Sequence, residues 1–291
     1  MKKWNLIVDV AECHDCHNCV IACQDEHVGN DFPGYAAPQP ASGHRWIEIR
    51  TRERGRAPLV DAAHLPTMCN QCDAAPCVAA GGGAVRQRPD GIVIIDPVAA
   101  RGRRDLVDAC PYGAIWWNEE LQLPQKWIFD AHLLDRGWSA PRCVQSCPTG
   151  ALRALQVEDE AMQALAAAER LEVLRPELGA RPRVYYRNLH RYTMNFIGGC
   201  VSGRRGDVEE CLGGANVELW QAGALRAQAV TDAFGEFRLD GLPPRSGAWT
   251  LRVRCAGYLE REFAVEMADD SVVLDELALQ RAPEPHPATP A

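Results

Sequence analysis

Four cysteines stand within eleven residues near the start of the chain, in the run Cys13-x2-Cys16-x2-Cys19-x3-Cys23. Thiolates bind soft metals, and ferredoxins use this spacing to wrap three consecutive thiolates around one [4Fe–4S] cluster while the fourth serves a neighbouring cluster. Zinc sites prefer two separated Cys-x2-Cys pairs, and no tidy pair of pairs is present here. The run therefore predicts an iron–sulfur protein that moves electrons.

A second cysteine group, Cys69-x2-Cys72-x4-Cys77, lies further along the chain. It repeats the two-residue spacer and then has a longer one, and Gly81 occupies the position where a fourth cysteine is expected. Because a cubane cluster needs four thiolates, this group requires one cysteine from elsewhere.

Cys110 and Cys147 are the candidates for distant ligands, because each begins the same five-residue pattern, Cys-Pro-x-Gly-Ala. The repetition indicates duplicated ferredoxin units, in which the cysteine before a proline is the crossing ligand. Pairing by symmetry predicts a first cysteine set of Cys13, Cys16, Cys19 and Cys147, and a second cysteine set of Cys69, Cys72, Cys77 and Cys110. Cys23 and Cys143 remain, and in a regular ferredoxin pair they would serve a third cluster.

The elements that must position these cysteines are short. Residues 1–10 and 91–96 have the composition of strands, and the alanine-rich residues 158–174 carry leucines at helical spacing. From residue 198 onwards, short segments alternate polar and apolar side chains between Gly and Pro, which is typical of an antiparallel sandwich. The predicted fold class is α+β, with a ferredoxin-like domain for several clusters at 1–197, a small antiparallel β-sandwich at 198–281 and a disordered tail at 282–291.

Composition and charge exclude some classes of function. The chain has 291 residues, a 47% hydrophobic fraction and a formal net charge of −8, which is enough for a core and argues against a nucleic-acid partner. No apolar stretch approaches the roughly 20 residues that span a membrane, and no signal peptide or twin-arginine leader is visible. We therefore expect a cytoplasmic protein without a membrane span.

Characteristic strings away from the cysteines run through most of the chain, such as Gly-His-Arg-Trp at 43–46 and Ala-His-Leu-Leu at 131–134. With them the sequence resembles the iron–sulfur small subunits of molybdenum enzymes of the dimethyl sulfoxide reductase superfamily, most closely those of the pyrogallol–phloroglucinol transhydroxylases and resorcinol hydroxylases. Further strings that carry the resemblance are residues 13–27, 33–35, 90–97, 110–113, 117–120, 175–179 and 182–186.

A hairpin pattern in the last third, Thr231-Asp232-x2-Gly235-Glu236-Phe237, resembles that of transthyretin-like or carboxypeptidase-regulatory-type domains. Such domains are usually adhesive or structural, and no set of catalytic side chains accompanies the pattern. The resemblance implies that the predicted sandwich is transthyretin-like.

The chain departs from the transhydroxylase pattern at one place. The resemblance implies a Cys-x2-Cys pair just before residue 131, where this sequence has Trp127 and Asp130. A tryptophan cannot ligate iron, and a carboxylate is a hard, uncommon ligand for a cubane. We expect that the third cluster is lost, that Cys23 and Cys143 are free thiols and that Trp127 fills the volume. The alternative is an unusual cluster, such as a three-iron form, held by Cys23, Cys143 and Asp130.

The resemblance implies a non-catalytic electron-transfer subunit with two [4Fe–4S] clusters. Its partner would be a large catalytic subunit that carries a bis-pterin molybdenum cofactor and acts on phenols of the resorcinol, pyrogallol or dihydroxybenzoate type, with a soluble electron acceptor. One alternative is the small subunit of another molybdenum reductase with a quinol or ferredoxin partner. Another is a mainly structural subunit whose clusters stabilise the fold.

Weaker signals have ordinary explanations. His14 and His17 lie between the cysteines, where polar surface is favoured over tuning of the cluster potential. Four alternate arginines at 50–56 indicate either a solvated strand or a docking surface for an acidic partner. Three cysteines of the last third have no ligand spacing and are expected to be buried thiols: Cys200, Cys211 and Cys255.

Overall fold

The computed structural model describes residues 1–205 and 208–283, and these form two compact units. The first unit comprises Met1–Thr51 and Ala63–Leu189. The second unit comprises Arg52–Ala62 and the chain from His190 onwards. The expected domain limits, 1–197 and 198–281, differ from this division, because the strand that begins at Asn195 and the short segment 52–62 belong to the second unit.

Short elements make up the first unit. Its strands are β1 (Lys3–Asp9), β2 (Ile47–Arg56), β3 (Leu59–Met68), β4 (Val85–Gln87), β5 (Val93–Ile95), β6 (Trp116–Asn118), β7 (Leu123–Gln125), β8 (Leu152–Val157) and β9 (Val184–Arg187). Of β2 and β3, only the residues outside 52–62 belong to this unit. Its helices are α1 (Asn18–His27), α2 (Pro76–Gly81), α3 (Asp105–Asp108), α4 (Ala131–Leu134), α5 (Arg142–Gln145) and α6 (Asp159–Glu169), with one 3-10 turn at Pro176–Leu178.

A three-stranded sheet with the order β8-β1-β9 organises the first unit. Strand β1 pairs antiparallel with β8 and parallel with β9, so it lies in the middle. Its run of apolar residues suits this position, and Leu6 and Val8 are fully buried. The hairpins β2-β3, β4-β5 and β6-β7 complete the strand pairing among the described residues of this unit.

Two expected elements of the first unit are present with shorter limits. The strand expected at 91–96 is β5, and the helix expected at 158–174 is α6, which ends at Glu169. Arg170 follows it in the left-handed conformation, where its N–H group bonds the Ala166 and Ala167 carbonyls and closes the helix. The chain therefore leaves the helix well before Pro176.

The second unit is a sandwich of two four-stranded sheets. It contains α7 (His190–Thr193), β10 (Asn195–Arg205), β11 (Val208–Cys211), β12 (Asn216–Gln221), β13 (Ala224–Val230), β14 (Glu236–Leu242), β15 (Gly247–Arg254), β16 (Arg261–Met267) and β17 (Val272–Leu279). One sheet has the order β11-β10-β14 with β17 on β10, and the other has the order β13-β12-β15-β16. Its pairs are antiparallel except β10 with β17, which is parallel.

Alternation along these strands builds the core of the sandwich, because every second side chain points inward. Ile197 and Val201 from one sheet join Val217, Leu219 and Leu251 from the other in one buried cluster. The expected α+β architecture, a ferredoxin-type domain followed by a transthyretin-like sandwich, is confirmed.

The turn pattern singled out in the sequence closes the loop between β13 and β14. Thr231 is buried, and its hydroxyl donates to the Leu212 carbonyl and accepts from the Ala215 N–H. The Asp232 carboxylate accepts from the N–H groups of Phe234 and Glu236. These bonds satisfy the backbone where the strands separate.

The expectation that the cysteines of the sandwich are buried is wrong. Cys211 is exposed, and Cys200 and Cys255 are partly exposed. β11 is a short strand at the edge of its sheet, and the position of Cys211 there has no second layer to cover it.

Most of the expected disordered tail, 284–291, lies outside the described residues. Ala282, which was included in that tail, donates its N–H to the Gly257 carbonyl. Among the helices of the described residues, none has the length and apolar character needed to cross a membrane.

Candidate iron–sulfur sites

The structure brings the first cysteine set together around one cavity. Cys13, Cys16, Cys19 and Cys147 line about 300 Å³ of space, together with His14 and apolar or small side chains. Cys147 comes from the turn after α5, more than a hundred residues from the other three. The cavity confirms the expected proximity, whereas the ligand roles themselves stay a prediction.

Helix α1 carries two cysteines of the opening run, Cys19 and Cys23, and only the first of them lines the first cavity. Cys19, Cys23 and His27 are spaced by four residues, so they share one face of the helix, and all three are buried. Cys19 faces the first cavity, whereas Cys23 lies one turn further along and does not line it. The fourth cysteine of the run thus lies about one helical turn further along the same face, outside the lining of the first cavity.

The second cysteine set lines a second cavity of about 340 Å³. Cys69 and Cys72 follow β3, Cys77 lies in the first turn of α2, and Cys110 follows α3. The lining is otherwise apolar except for Asn70, Tyr112 and Lys126.

Both Cys-Pro-x-Gly-Ala patterns form turns in which backbone N–H groups face a sulfur atom. Gly113 and Gly150 have positive φ values of 65° and 71°. In the first turn the Ala114 N–H group donates to Cys110 Sγ over 3.4 Å. In the second turn, burial opposes ionisation of the Cys147 thiol, but hydrogen bonds from the Thr149 hydroxyl and nearby N–H groups lower its pKa. Such donors stabilise the thiolate that a metal requires.

Most of the remaining thiols are held in apolar surroundings. Burial, together with the neighbouring thiolates, raises the pKa of Cys19 to about 12 and that of Cys77 to about 11. Four thiols crowded in this way do not ionise together without a cation between them. The donor set thus fits a cationic iron core, which offers the thiolates a charged partner.

Each of the two cysteine sets supplies the number of thiolates that a [4Fe–4S] cluster needs. Across residues 1–205 and 208–283, no group of three or more His, Cys, Asp or Glu side chains is arranged to hold one metal ion. A [4Fe–4S] cluster instead presents four separate irons to four thiolates, and each cavity is lined by four.

The remaining residues of the expected third site are all buried. Cys23, Cys143, Trp127 and Asp130 have exposures of 2%, 1%, 0% and 1%. His27 Nε2 lies 3.0 Å from Asp130 Oδ1, and the Arg142 backbone N–H donates to Asp130 Oδ2 over 2.8 Å. Both carboxylate oxygens are therefore already bonded to protein groups.

The two leftover thiols lie close to this carboxylate. Burial and then the negative charge of Asp130 raise the pKa of Cys23 and of Cys143 well above the ordinary value. Both thiols are therefore neutral near pH 7. The Trp127 ring packs against Phe129, with ring centroids 4.8 Å apart, and its complete burial fits the expected filling role.

Two of the four arginines at 50–56, Arg50 and Arg56, are exposed on β2, as a solvated strand requires, whereas Arg52 and Arg54 differ from both explanations. In the second unit the side chain of Arg54 is fully buried and pairs with Asp61 and Asp240, and Arg52 donates to Asn195 Oδ1 over 2.6 Å. These two arginines serve the interior of the fold. The two histidines between the first cysteines, His14 and His17, are exposed, as expected.

Sequence reasoning missed one charged residue of the second cavity. Lys126 directly follows β7, lines this cavity and is 2% exposed. A lone lysine carries no spacing signal, and only the folding of the β6-β7 hairpin brings it to the cysteines.

Comparison with known proteins covers both units. Residues 60–157 match the 4Fe-4S dicluster domain, and residues 197–280 match the carboxypeptidase regulatory-like domain. The chain is 43% identical to the pyrogallol hydroxytransferase small subunit of Pelobacter acidigallici over 95% of this chain and 96% of that protein.

Two other relatives match a smaller part of this chain. One is a subunit of the tetrathionate reductase of Salmonella typhimurium, which is 31% identical over 64% of this chain and 73% of its own length. The other is a subunit of the sulfite dehydrogenase of Allochromatium vinosum, which is 30% identical over 64% of this chain and 83% of its own length.

Proposed function

This chain belongs to the family of iron–sulfur small subunits of molybdenum enzymes, and from that premise we propose that it carries electrons between a large catalytic subunit and an acceptor. The observation that carries the proposal is the pair of cavities, each lined by four cysteines from distant parts of the chain. Clusters bound there would supply one-electron chemistry, and the chain's residues would hold them and set their surroundings.

We assign one [4Fe–4S] cluster to each cysteine set and none to the third site. The hydrogen bonds to Asp130 support this assignment, because each of its oxygens already has a protein partner and a carboxylate is a hard ligand for a cluster iron. A three-iron cluster held by Cys23, Cys143 and Asp130 remains the competing assignment.

The proposed partner is a large subunit with a bis-pterin molybdenum cofactor that acts on phenolic aromatics. Support comes from the relative named pyrogallol hydroxytransferase small subunit, whose likeness extends through nearly all of both chains. Hydroxylation with oxygen from water releases two electrons, which two clusters could pass on singly to a soluble acceptor. Transhydroxylation is redox-neutral overall and would need the clusters less. We place this work in the cytoplasm.

A reductase subunit with a quinol or ferredoxin partner is the second candidate. The tetrathionate reductase and sulfite dehydrogenase relatives favour it, but each matches only 64% of this chain. The relative from Pelobacter matches 95%, which includes the sandwich. We therefore rank the aromatic hydroxylase or transhydroxylase first.

Analysis of iron, acid-labile sulfide and electron paramagnetic resonance (EPR) of the purified complex with its partner tests the proposal. We expect about eight irons per chain and two reducible signals. About eleven or twelve irons would show that the third site is filled. Clusters that cannot change oxidation state at the potential of any acceptor would leave only the structural role.

A further inference from the structure

Lys126 is a buried cation without a carboxylate partner among the described residues. The Lys126 side chain is among the largest fully buried side chains of the protein. It takes part in none of the ion pairs found within residues 1–205 and 208–283. Its ammonium group donates to the carbonyls of Val93, over 2.5 Å, and Trp127, over 3.2 Å. An unpaired buried charge is costly, so another source of negative charge is required.

The second cavity offers that negative charge. Lys126 lines it together with the four cysteines of the second set. An ammonium group has three donors, and the two carbonyls leave one of them unassigned. Four thiolates around a cluster give the site a net negative charge that a neighbouring cation stabilises.

The surrounding backbone holds Lys126 in place. Gln71, which lies between two cysteines of the second set, donates its side-chain N–H to the Trp127 carbonyl and accepts from the Val93 N–H. The same two residues, Val93 and Trp127, are those that accept from Lys126. The charge is therefore fixed relative to the cysteine loop and does not move freely in solvent.

The first cavity has no such charge. Its lining contains the four cysteines of the first set, His14 and apolar or small residues, with no lysine or arginine among them. The chain has three lysines, and the other two are Lys2 and Lys3 near the start.

We propose that Lys126 raises the reduction potential of the cluster in the second cysteine set, so that an electron is retained there more readily than the thiolates alone would allow. The proposal rests on the cluster assignment made above. Reduction adds one electron, hence one negative charge, while a mediator or the neighbouring redox centre is oxidised by one electron. The fixed positive charge favours the reduced state and does not act as a ligand.

The test is a redox titration, followed by EPR, of the whole complex with Lys126→Met, Lys126→Gln and Lys126→Arg. The methionine removes the charge at similar length, the glutamine keeps an N–H donor, and the arginine keeps the charge. Lys2→Met, at an exposed position, is the matched control. Iron and sulfide content, which tests the cluster assignment separately, is measured first on each protein.

With about eight irons retained, we expect Lys126→Met and Lys126→Gln to lower one potential, with at least a tenfold change in the reduced-to-oxidised ratio, about 59 mV for one electron. Lys126→Arg should restore most of the lost potential, and Lys2→Met should leave the potentials of both clusters unchanged. Unchanged potentials in the neutral variants overturn the proposal, and so does a shift that the arginine does not reverse.

Loss of a cluster also decides the question. If the neutral variants lose four irons and the arginine variant retains them, the charge holds the cluster in place and the proposal, which concerns its potential, fails in its stated form. If all three variants lose them, Lys126 acts through its shape and the proposal fails. A wild-type complex without eight irons would instead contradict the cluster assignment.

Discussion

At the scale of single residues, we expect Asp130 to determine whether the third site binds a cluster. A cysteine at this position would offer a soft thiolate to iron, whereas the carboxylate is hard and its two oxygens are bonded to His27 and to the Arg142 N–H. Cys23 and Cys143 lie near that negative charge, and burial together with it raises the pKa of both thiols well above the ordinary value. We therefore expect that Trp127 and Asp130 together leave Cys23 and Cys143 as neutral core residues and not as ligands.

Replacing Cys147 with serine should remove one cluster, whereas replacing Cys143 should not. The two positions are four residues apart, but only Cys147 lines the first cavity. We expect Cys147→Ser to reduce iron from about eight to about four per chain, and Cys143→Ser to leave it unchanged. Iron and sulfide analysis with EPR measures both.

The outcomes separate the two assignments of the third site. A loss of iron in Cys143→Ser would mean that a cluster is held there. Retention of all iron in Cys147→Ser would contradict the assignment of the crossing ligand to the first set.

At the scale of elements, the turn before β14 depends on Gly235. Its φ is +75°, and a Cβ atom there would stand against the Val201 carbonyl. We expect Gly235→Ala to destabilise the protein by about 3 kcal/mol or more, because left-handed strain adds to a backbone clash. Urea unfolding of the full chain measures the change.

Gly214 is the matched control for this turn. It has a φ of +79° and no atom near the position of a Cβ. Gly214→Ala should therefore cost only the strain, about 1 kcal/mol. Equal costs for the two variants would show that the close approach to Val201 has no energetic weight.

The tip of the β2-β3 hairpin carries a buried ion-pair cluster of the second unit. Asp61 accepts from Arg54, Arg191 and Arg238, and its side chain is 11% exposed. Removing one partner of a buried pair leaves an uncompensated charge. Asp61→Asn should therefore lower the free energy of unfolding by about 3 kcal/mol. Asp275→Asn, which breaks the exposed pair with Arg56, should cost under about 1 kcal/mol.

The same carboxylate predicts a pH dependence. Burial opposes ionisation, but hydrogen bonds from Arg238, Arg54 and Arg191 outweigh it and lower the pKa of Asp61 below its ordinary value of 3.8. A lowered folded pKa stabilises the protein above the unfolded value, and this stability is lost as pH falls below it. Between about pH 7 and 5 the contribution should be constant, and below about pH 4 it should decline. An equally steep acid decline in Asp61→Asn would exclude this carboxylate as a cause.

At the scale of the whole molecule, we expect the two units to depend on the clusters to different extents. The first unit has short helices and two-stranded hairpins around its cysteines, whereas the sandwich has its own continuous apolar core. Removing the clusters should lower amide-exchange protection around residues 69–77 by at least about tenfold, because cluster binding supplies folding free energy there. Protection in β12 and β15 should change by less than about twofold. A comparable loss in both strands would refute this difference.

Much of the protein could be predicted from local sequence. Ligand spacing is a local property, so the two cysteine groups that begin at Cys13 and Cys69 predicted iron–sulfur sites before the fold was known. The alternation of polar and apolar residues predicted the sandwich, because each of its strands needs one buried face. The resemblance to iron–sulfur small subunits likewise depended on strings of neighbouring residues, and the family is confirmed.

Tertiary structure decided the rest, because it depends on contacts between residues far apart in the chain. The proximity of Cys147 to Cys13, the bonds that occupy Asp130 and the burial of Arg54 beside Asp240 all require long-range packing. Lys126 is the clearest case. A lysine usually lies on a solvated surface, and only the folded chain shows Lys126 buried beside four cysteines.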